Sequence, residues 1–230
     1  MKKKLTIFVL SFIVAIAFMP AAAFAESAPE MTAYNQVLKE GNTAYVGGAA
    51  GIYKVKLKSN GKVKSKKLIF KSYSPFGAYS YINTMYKQDN YIYFLQGTEG
   101  GTQYLKRVST SGKSKKLASL LDTYYGYSID GNTIYYSTYN SALDDDWDDD
   151  DYWYDDDWDD EDYDPSLYQL LKRMNLDGSS KQDTDITPNC KTKKTSDAEY
   201  TRTIKKKGKY AKDYLKTPKG TFYLGKIKMD

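Results

Sequence analysis

The sequence predicts an all-β fold built from four recurring units, each of about four short strands, spread between Tyr34 and Asp230. Three observations predict it. A polar turn pair followed by a strand of aromatic and β-branched residues occurs four times along the chain. Each copy is followed by a second strand bearing Lys or Arg, which in the first three copies runs into a glycine turn. The composition, with 24 tyrosines in 230 residues, suits sheet surfaces better than a helical bundle.

Ahead of the units stands an export signal. Lys2, Lys3 and Lys4 form a positive start, Leu5 to Phe18 an apolar run, Pro20 a break and Ala23-Phe24-Ala25 a small-x-small cleavage pattern, placing the cut before Glu26. The apolar run falls short of the roughly 20 residues a spanning helix needs, so residues 1–25 are expected to be removed rather than kept as an anchor. No later stretch is long and apolar enough to cross a bilayer, so no transmembrane anchor is expected after signal removal. The expected location is extracellular or on the cell wall. Residues 26–33 are read as a lead into a repeat domain covering 34–230. The single cysteine, Cys190, permits no internal disulfide and is read as an idle thiol in a polar loop.

The repeats read as follows. Gly41-Asn42-Thr43-Ala44-Tyr45-Val46 recurs as Asp89-Asn90-Tyr91-Ile92-Tyr93-Phe94 and as Gly131-Asn132-Thr133-Ile134-Tyr135-Tyr136, with a weaker copy at Gly208-Lys209-Tyr210-Ala211. Gly, Asn and Asp tolerate the left-handed backbone a tight turn needs. The second strands are Tyr53 to Leu57 before Gly61, Tyr104 to Val108 before Gly112, Leu170 to Met174 before Gly178, and Tyr223 to Ile227. Leu57, Val108, Met174 and Ile227 share a parity with Tyr53, Tyr104, Leu170 and Tyr223, so all are expected on one buried face. Lys56, Arg107, Arg173 and Lys226 take the other face. A strand precedes each turn pair, and another follows the glycine in the first two units, as Lys66-Lys67-Leu68 and Lys115-Lys116-Leu117. Units of about 40 to 50 residues with four strands have the size of propeller blades.

This organisation resembles the YWTD-type β-propeller repeats and their divergent relatives in secreted Gram-positive proteins, often described only as a domain of unknown function. The resemblance rests on the third unit's turn and strand with Leu171-Lys172-Arg173-Met174-Asn175-Leu176-Asp177-Gly178, and on their second-unit counterparts. It implies a sheet-built scaffold for protein or ligand binding, with no catalytic residues to carry over. The Trp-Thr-Asp of that signature is replaced by Tyr136-Ser137-Thr138 and Phe94-Leu95-Gln96. Four units are the lower limit for a closed ring, and no glycine turn follows the last strand. The architecture is therefore expected either to be completed by an N-terminal strand or to be open or incomplete.

Residues 144–164 form an insertion inside the third unit, with 15 acidic residues among 21 and Trp or Tyr in the other six places. All three tryptophans lie here, as Trp147, Trp153 and Trp158. So many carboxylates cannot be buried unpaired. Removing residues 1–25 and the insertion's carboxylates from the formal charge of +5 leaves a body of +17. Four readings stay open: the arm folds onto its own body, binds Ca2+ or another hard cation, binds a basic or glycan partner, or only solubilises. The cation- or partner-binding candidates are Asp144, Asp145, Asp146, Trp147, Asp148, Asp149, Asp155, Asp156, Asp157, Trp158, Asp159 and Asp160. Carboxylate oxygens are calcium ligands, although the segment lacks the turn glycine of an EF-hand loop.

On the body, the candidates for contact with an anionic polymer are Lys64, Lys66, Lys67, Lys113, Lys115, Lys116, Lys205, Lys206 and Lys207. For an exported protein the natural counterparts of this charge are anionic cell-wall polymers or another surface protein, not nucleic acid. A solvated lysine face that protects edge strands is the structural alternative. Without histidine, the usual zinc ligand and general base are missing. Ser59-Asn60-Gly61-Lys62 matches Ser-x-x-Lys, but its glycine marks a turn rather than the helix that dyad requires. The sequence thus points to a secreted, non-enzymatic binding or scaffold protein. The rival reading is a glycoside hydrolase-like enzyme using carboxylates that meet across a ring.

Overall fold

The computed structural model describes residues 26–72, 81–97, 103–120, 126–139, 169–193 and 200–228, and within them every regular element is a strand. After β1 (Met31–Tyr34), the first sheet holds β2 (Val37–Glu40), β3 (Thr43–Gly48), β4 (Gly51–Leu57) and β5 (Val63–Lys71) in that order. The second unit supplies β6 (Tyr81–Gln88), β7 (Tyr91–Gly97), β8 (Gln103–Ser109) and β9 (Ser114–Leu120). The third supplies β10 (Tyr127–Asp130), β11 (Thr133–Tyr139), β12 (Gln169–Asn175) and β13 (Gln182–Asp183). Beyond β14 (Cys190–Lys193), the fourth has three strands, β15 (Thr201–Lys207), β16 (Tyr210–Thr217) and β17 (Gly220–Lys228). Within each unit the pairing is antiparallel, strand to next strand. The fold is thus all-β, with four sheets that repeat one another.

The turn between the first two strands of each unit shows why the units recur. Gly41, Asp89, Gly131 and Gly208 have φ values of 51°, 52°, 53° and 55°. One left-handed residue at one position makes the same tight reversal four times, and Asp is among the few side chains that tolerate it.

Three hydrophobic clusters stack the sheets in the order fourth, first, second, third. Leu215 and Leu224 of the fourth sheet pack on Val46, Tyr53 and Val55 of the first. Tyr45, Ile52 and Phe70 of the first pack on Met85, Phe94 and Val108 of the second. Tyr93, Leu105 and Leu117 of the second pack on Tyr127, Ile134, Tyr136 and Met174 of the third. No cluster among the described residues joins the third sheet to the fourth, and no closed ring is detected among them.

The N-terminal strand does not complete the fourth sheet. β1 runs parallel to β14, from Met31 opposite Cys190 to Tyr34 opposite Lys193, and Tyr34 also pairs with Met85, which fastens both strands to the second sheet.

The single-buried-face expectation needs correction. Leu57, Val108, Met174 and Tyr53 are buried, but Tyr104, Leu170 and Ile227 are only partly buried and Tyr223 is 44% exposed. Two causes operate. The inner sheets are covered on both sides, so Leu105 faces the third sheet while Val108 faces the first. In β17 the register shifts opposite Asp213 and Tyr214, leaving Leu224 between their partners Gly225 and Tyr223. This bulge reverses the parity, turning Leu224 inward and Tyr223 outward.

Cys190 also differs from its sequence reading, because it opens a strand and is partly buried. Burial pushes its thiol up from the ordinary range. The thiolate is the reactive form, so alkylation by iodoacetamide at neutral pH is expected to be about tenfold or more slower than in the urea-unfolded chain. Equal rates in the two states would show that β14 does not shield it. The signal, residues 1–25, and the insertion, residues 144–164, lie outside the described residues.

Candidate anion-binding face

Like charges placed directly opposite on adjacent strands repel, so each such pair needs a compensating partner. The register places Lys54 opposite Lys67, Arg107 opposite Lys115, Lys106 opposite Lys116, and Lys212 between Lys205 and Lys226.

The first two pairs hold the stack together. Lys54 Nζ donates to the Thr110 carbonyl at 3.3 Å and Lys67 Nζ to the Ser111 carbonyl at 3.4 Å. One unit further on, Arg107 Nη1 donates to the Leu176 carbonyl at 3.0 Å and Lys115 Nζ to the Asp177 carbonyl at 2.7 Å. In both cases two paired cations hold the two carbonyls that precede the next unit's turn glycine, Gly112 or Gly178. Lys67 and Lys115, read from sequence as polymer contacts, are therefore engaged between sheets. Lys66 likewise donates to the Tyr223 carbonyl at 2.6 Å and lies 4.5 Å from the Tyr223 ring centre.

The row Lys205–Lys212–Lys226 has no such clamp. It belongs to the face of the fourth sheet directed away from the core. Lys207, Tyr210 and Lys228 form the row on one side of it. On the other side come Thr203, Tyr214 and Tyr223, and then Thr201, Lys216 and Thr221. Period-two alternation along β16 creates the pattern, since Tyr210, Lys212, Tyr214 and Lys216 project outward while Ala211, Asp213, Leu215 and Thr217 are buried. All of the outward residues are exposed or partly exposed. Two of the ammonium groups meet rings. Lys205 lies 5.5 Å from the Tyr214 ring and Lys226 4.3 Å from the Tyr210 ring, while Tyr214 and Tyr223 are tilted against each other at 5.6 Å.

The other side of this sheet is anchored by a fully buried carboxylate. Asp213 accepts hydrogen bonds from the Ala49 amide at 2.8 Å, the Ala50 amide at 3.0 Å and the Tyr53 hydroxyl at 3.4 Å. Burial, and then the Asp213 charge, hold the Tyr53 hydroxyl far above the ordinary tyrosine range. Burial pulls Arg202 below its usual value, and the Asp213 charge opposes that shift.

Of the lysines expected to contact a polymer, Lys205 and Lys207 lie on this face. Lys206 projects from the reverse side of β15, Lys64 is exposed on β5, Lys113 is exposed in the β8–β9 turn, and Lys116 belongs to the second sheet. Tyr210, Lys212, Tyr214, Lys216, Tyr223, Lys226 and Lys228 were missed. The alternation of Tyr210 to Lys216 was a usable signal; the bulge that adds Tyr223 was not. The insertion candidates, Asp144 to Asp149 and Asp155 to Asp160 with Trp147 and Trp158, lie outside the described residues.

Among the described residues, 30 Lys and Arg stand against nine Asp and Glu, and ion pairs join Lys87 to Glu40, Lys172 to Asp183 and Lys191 to Glu30. No group of three or more His, Cys, Asp or Glu among them is placed to hold a metal ion, and no helix there is long and apolar enough to cross a membrane. The chain matches no protein-family model and no curated protein.

Proposed function

We propose that this is a secreted, non-enzymatic binding or scaffold protein of the bacterial surface, whose fourth sheet presents a Lys–Tyr face to an anionic cell-wall polymer. One observation carries the reading: the Lys205–Lys212–Lys226 row, exposed at both ends and partly exposed at Lys212, lies on a sheet whose one described carboxylate, Asp213, is buried on the opposite side. A row of cations across three strands, about 4.8 Å apart, suits a chain of spaced negative charges, and the tyrosines add apolar contact to its backbone. The Lys66 bond to the Tyr223 carbonyl and the Asp213 anchor tie the face to the first sheet, so little ordering is required on binding. Divergent propeller blades remain the proposed ancestry of the units. The acidic segment at 144–164 is proposed as a cation-responsive arm on the same basic body, with Ca2+ as the candidate ion.

The test is co-sedimentation of the mature chain with purified cell wall and with a soluble poly(polyol phosphate). Retention is expected at low salt and lost as salt rises, since each lysine–phosphate contact releases a counterion. Replacing Lys205, Lys212 and Lys226 together by Gln is expected to weaken binding roughly 100-fold, at about 1 kcal/mol for each cation near an anionic surface. The salt dependence becomes shallower with it. Absence of retention at every ionic strength, or undiminished binding by the triple variant, would overturn the proposal.

A further inference from the structure

A second opposed group of cations, on the second sheet, also lacks a carbonyl clamp among the described contacts. Lys106 and Lys116 are directly opposed on β8 and β9, one position along from the clamp pair Arg107 and Lys115. No backbone carbonyl of a neighbouring turn reaches them among the described contacts. Both ammonium groups meet one ring, Tyr104, at 5.5 Å for Lys106 and 4.2 Å for Lys116. Lys106 is also 5.5 Å from the ring of Phe70 on the first sheet. An aromatic face attracts a cation but accepts no conventional N–H hydrogen bond.

Lys106 is held in place. Its Nζ donates to Gln96 Oε1 at 2.6 Å, and Gln96 Nε2 in turn donates to Ser72 Oγ at 3.1 Å. Gln96 is 2% and Ser72 1% exposed, so a buried amide and a buried hydroxyl aim a half-buried ammonium. Burial, and then the neighbouring Lys116, lower Lys106 from the ordinary lysine range. Two further N–H groups on Lys106 and three on Lys116 are available to an acceptor.

We infer that Lys106 and Lys116, with Gln96 as the positioning residue for Lys106, form a seat for one phosphate-class oxyanion between the first and second sheets. Charge selects the class, because two ammonium groups are balanced by a dianion, whereas a carboxylate leaves one unmatched. This site lies on a different sheet from the Lys–Tyr face and stands independently of it. Its occupant is either free phosphate or a phosphate group of a bound polymer.

The test uses the mature protein labelled with 15N-lysine, following the Lys106 and Lys116 Nζ signals by NMR. Inorganic phosphate is expected to shift both saturably and to raise the titration midpoint of Lys106. Acetate at equal ionic strength is expected to do neither. Lys116→Gln is expected to raise the Lys106 midpoint without phosphate, by removing a like charge, and to weaken the phosphate response at least tenfold. Gln96→Leu is expected to weaken it as well, with the sheet signals unchanged. The Lys205, Lys212 and Lys226 triple variant is expected to retain the response, which separates this site from the polymer-binding face. Displacement of phosphate by soluble poly(polyol phosphate) would identify the polymer as the source, and polymer binding without displacement would identify free phosphate. Equal shifts with phosphate and acetate, or a full phosphate response in Lys116→Gln, would overturn the inference.

Discussion

Replacing Asp213 by Ala is expected to lower the stability of the mature protein by about 3–5 kcal/mol. The carboxylate is 0% exposed and accepts from Ala49, Ala50 and Tyr53, and Arg202 loses its nearby negative charge with it. Removing the carboxylate leaves two buried amides and a buried hydroxyl without this acceptor, each at about 1–3 kcal/mol if no water replaces it. Asp213→Asn keeps an oxygen acceptor but brings an NH2 group towards an N–H, so a smaller loss of about 2 kcal/mol is expected. Urea unfolding measures both. Hydrogen exchange is expected to accelerate first in β15, β16 and β17, because the lost contacts join the fourth sheet to the first. The Tyr53 titration is also expected to move down towards the ordinary range while staying above it. Two causes that raise it disappear with Asp213, and burial, the largest, remains. A midpoint for Asp213→Ala within about 1 kcal/mol of the parent would refute this account of the junction.

Gly51→Ala is expected to cost about 4 kcal/mol or more, enough to leave much of the chain unfolded. Gly51 has φ of +133°, and a Cβ there would overlap the Phe70 carbonyl oxygen of the adjacent strand. Backbone cannot yield as a flexible side chain can. The matched control is Gly41→Ala, where φ is +51° and a Cβ would meet nothing within 4 Å. Only the left-handed conformation is penalised there, by about 1–2 kcal/mol. Circular dichroism melts of the two variants decide the matter. Equal destabilisation would show that the close approach of β4 and β5 does not control this turn.

Much of the fold was legible because it is local. The turn pairs at Gly41, Asp89, Gly131 and Gly208 require one backbone conformation, and β-branched and aromatic runs after them have few alternatives to a strand. The lysines of Lys66-Lys67 and Lys115-Lys116 were legible as a recurring feature, but their use was not. A side chain that donates to a carbonyl more than 40 residues away, as Lys67 does to Ser111, leaves no trace in local pattern. The polymer contacts expected from sequence therefore include Lys66, Lys67 and Lys115, which join the sheets, and omit Lys212, Lys216, Lys226 and Lys228.

By itself the sequence determined the all-β class, the four units and their turns, since each depends on the intrinsic preferences of a few adjacent residues. Tertiary structure alone decided which faces are buried, that β1 joins the second sheet, and which lysines lie open. Those outcomes depend on the stacking order of the sheets and on a one-residue bulge at Leu224, where an unpaired residue turns an expected core tyrosine, Tyr223, to the surface. Parity along a strand is a local property, but the side of the sheet that it puts in water is fixed by which neighbour packs against it.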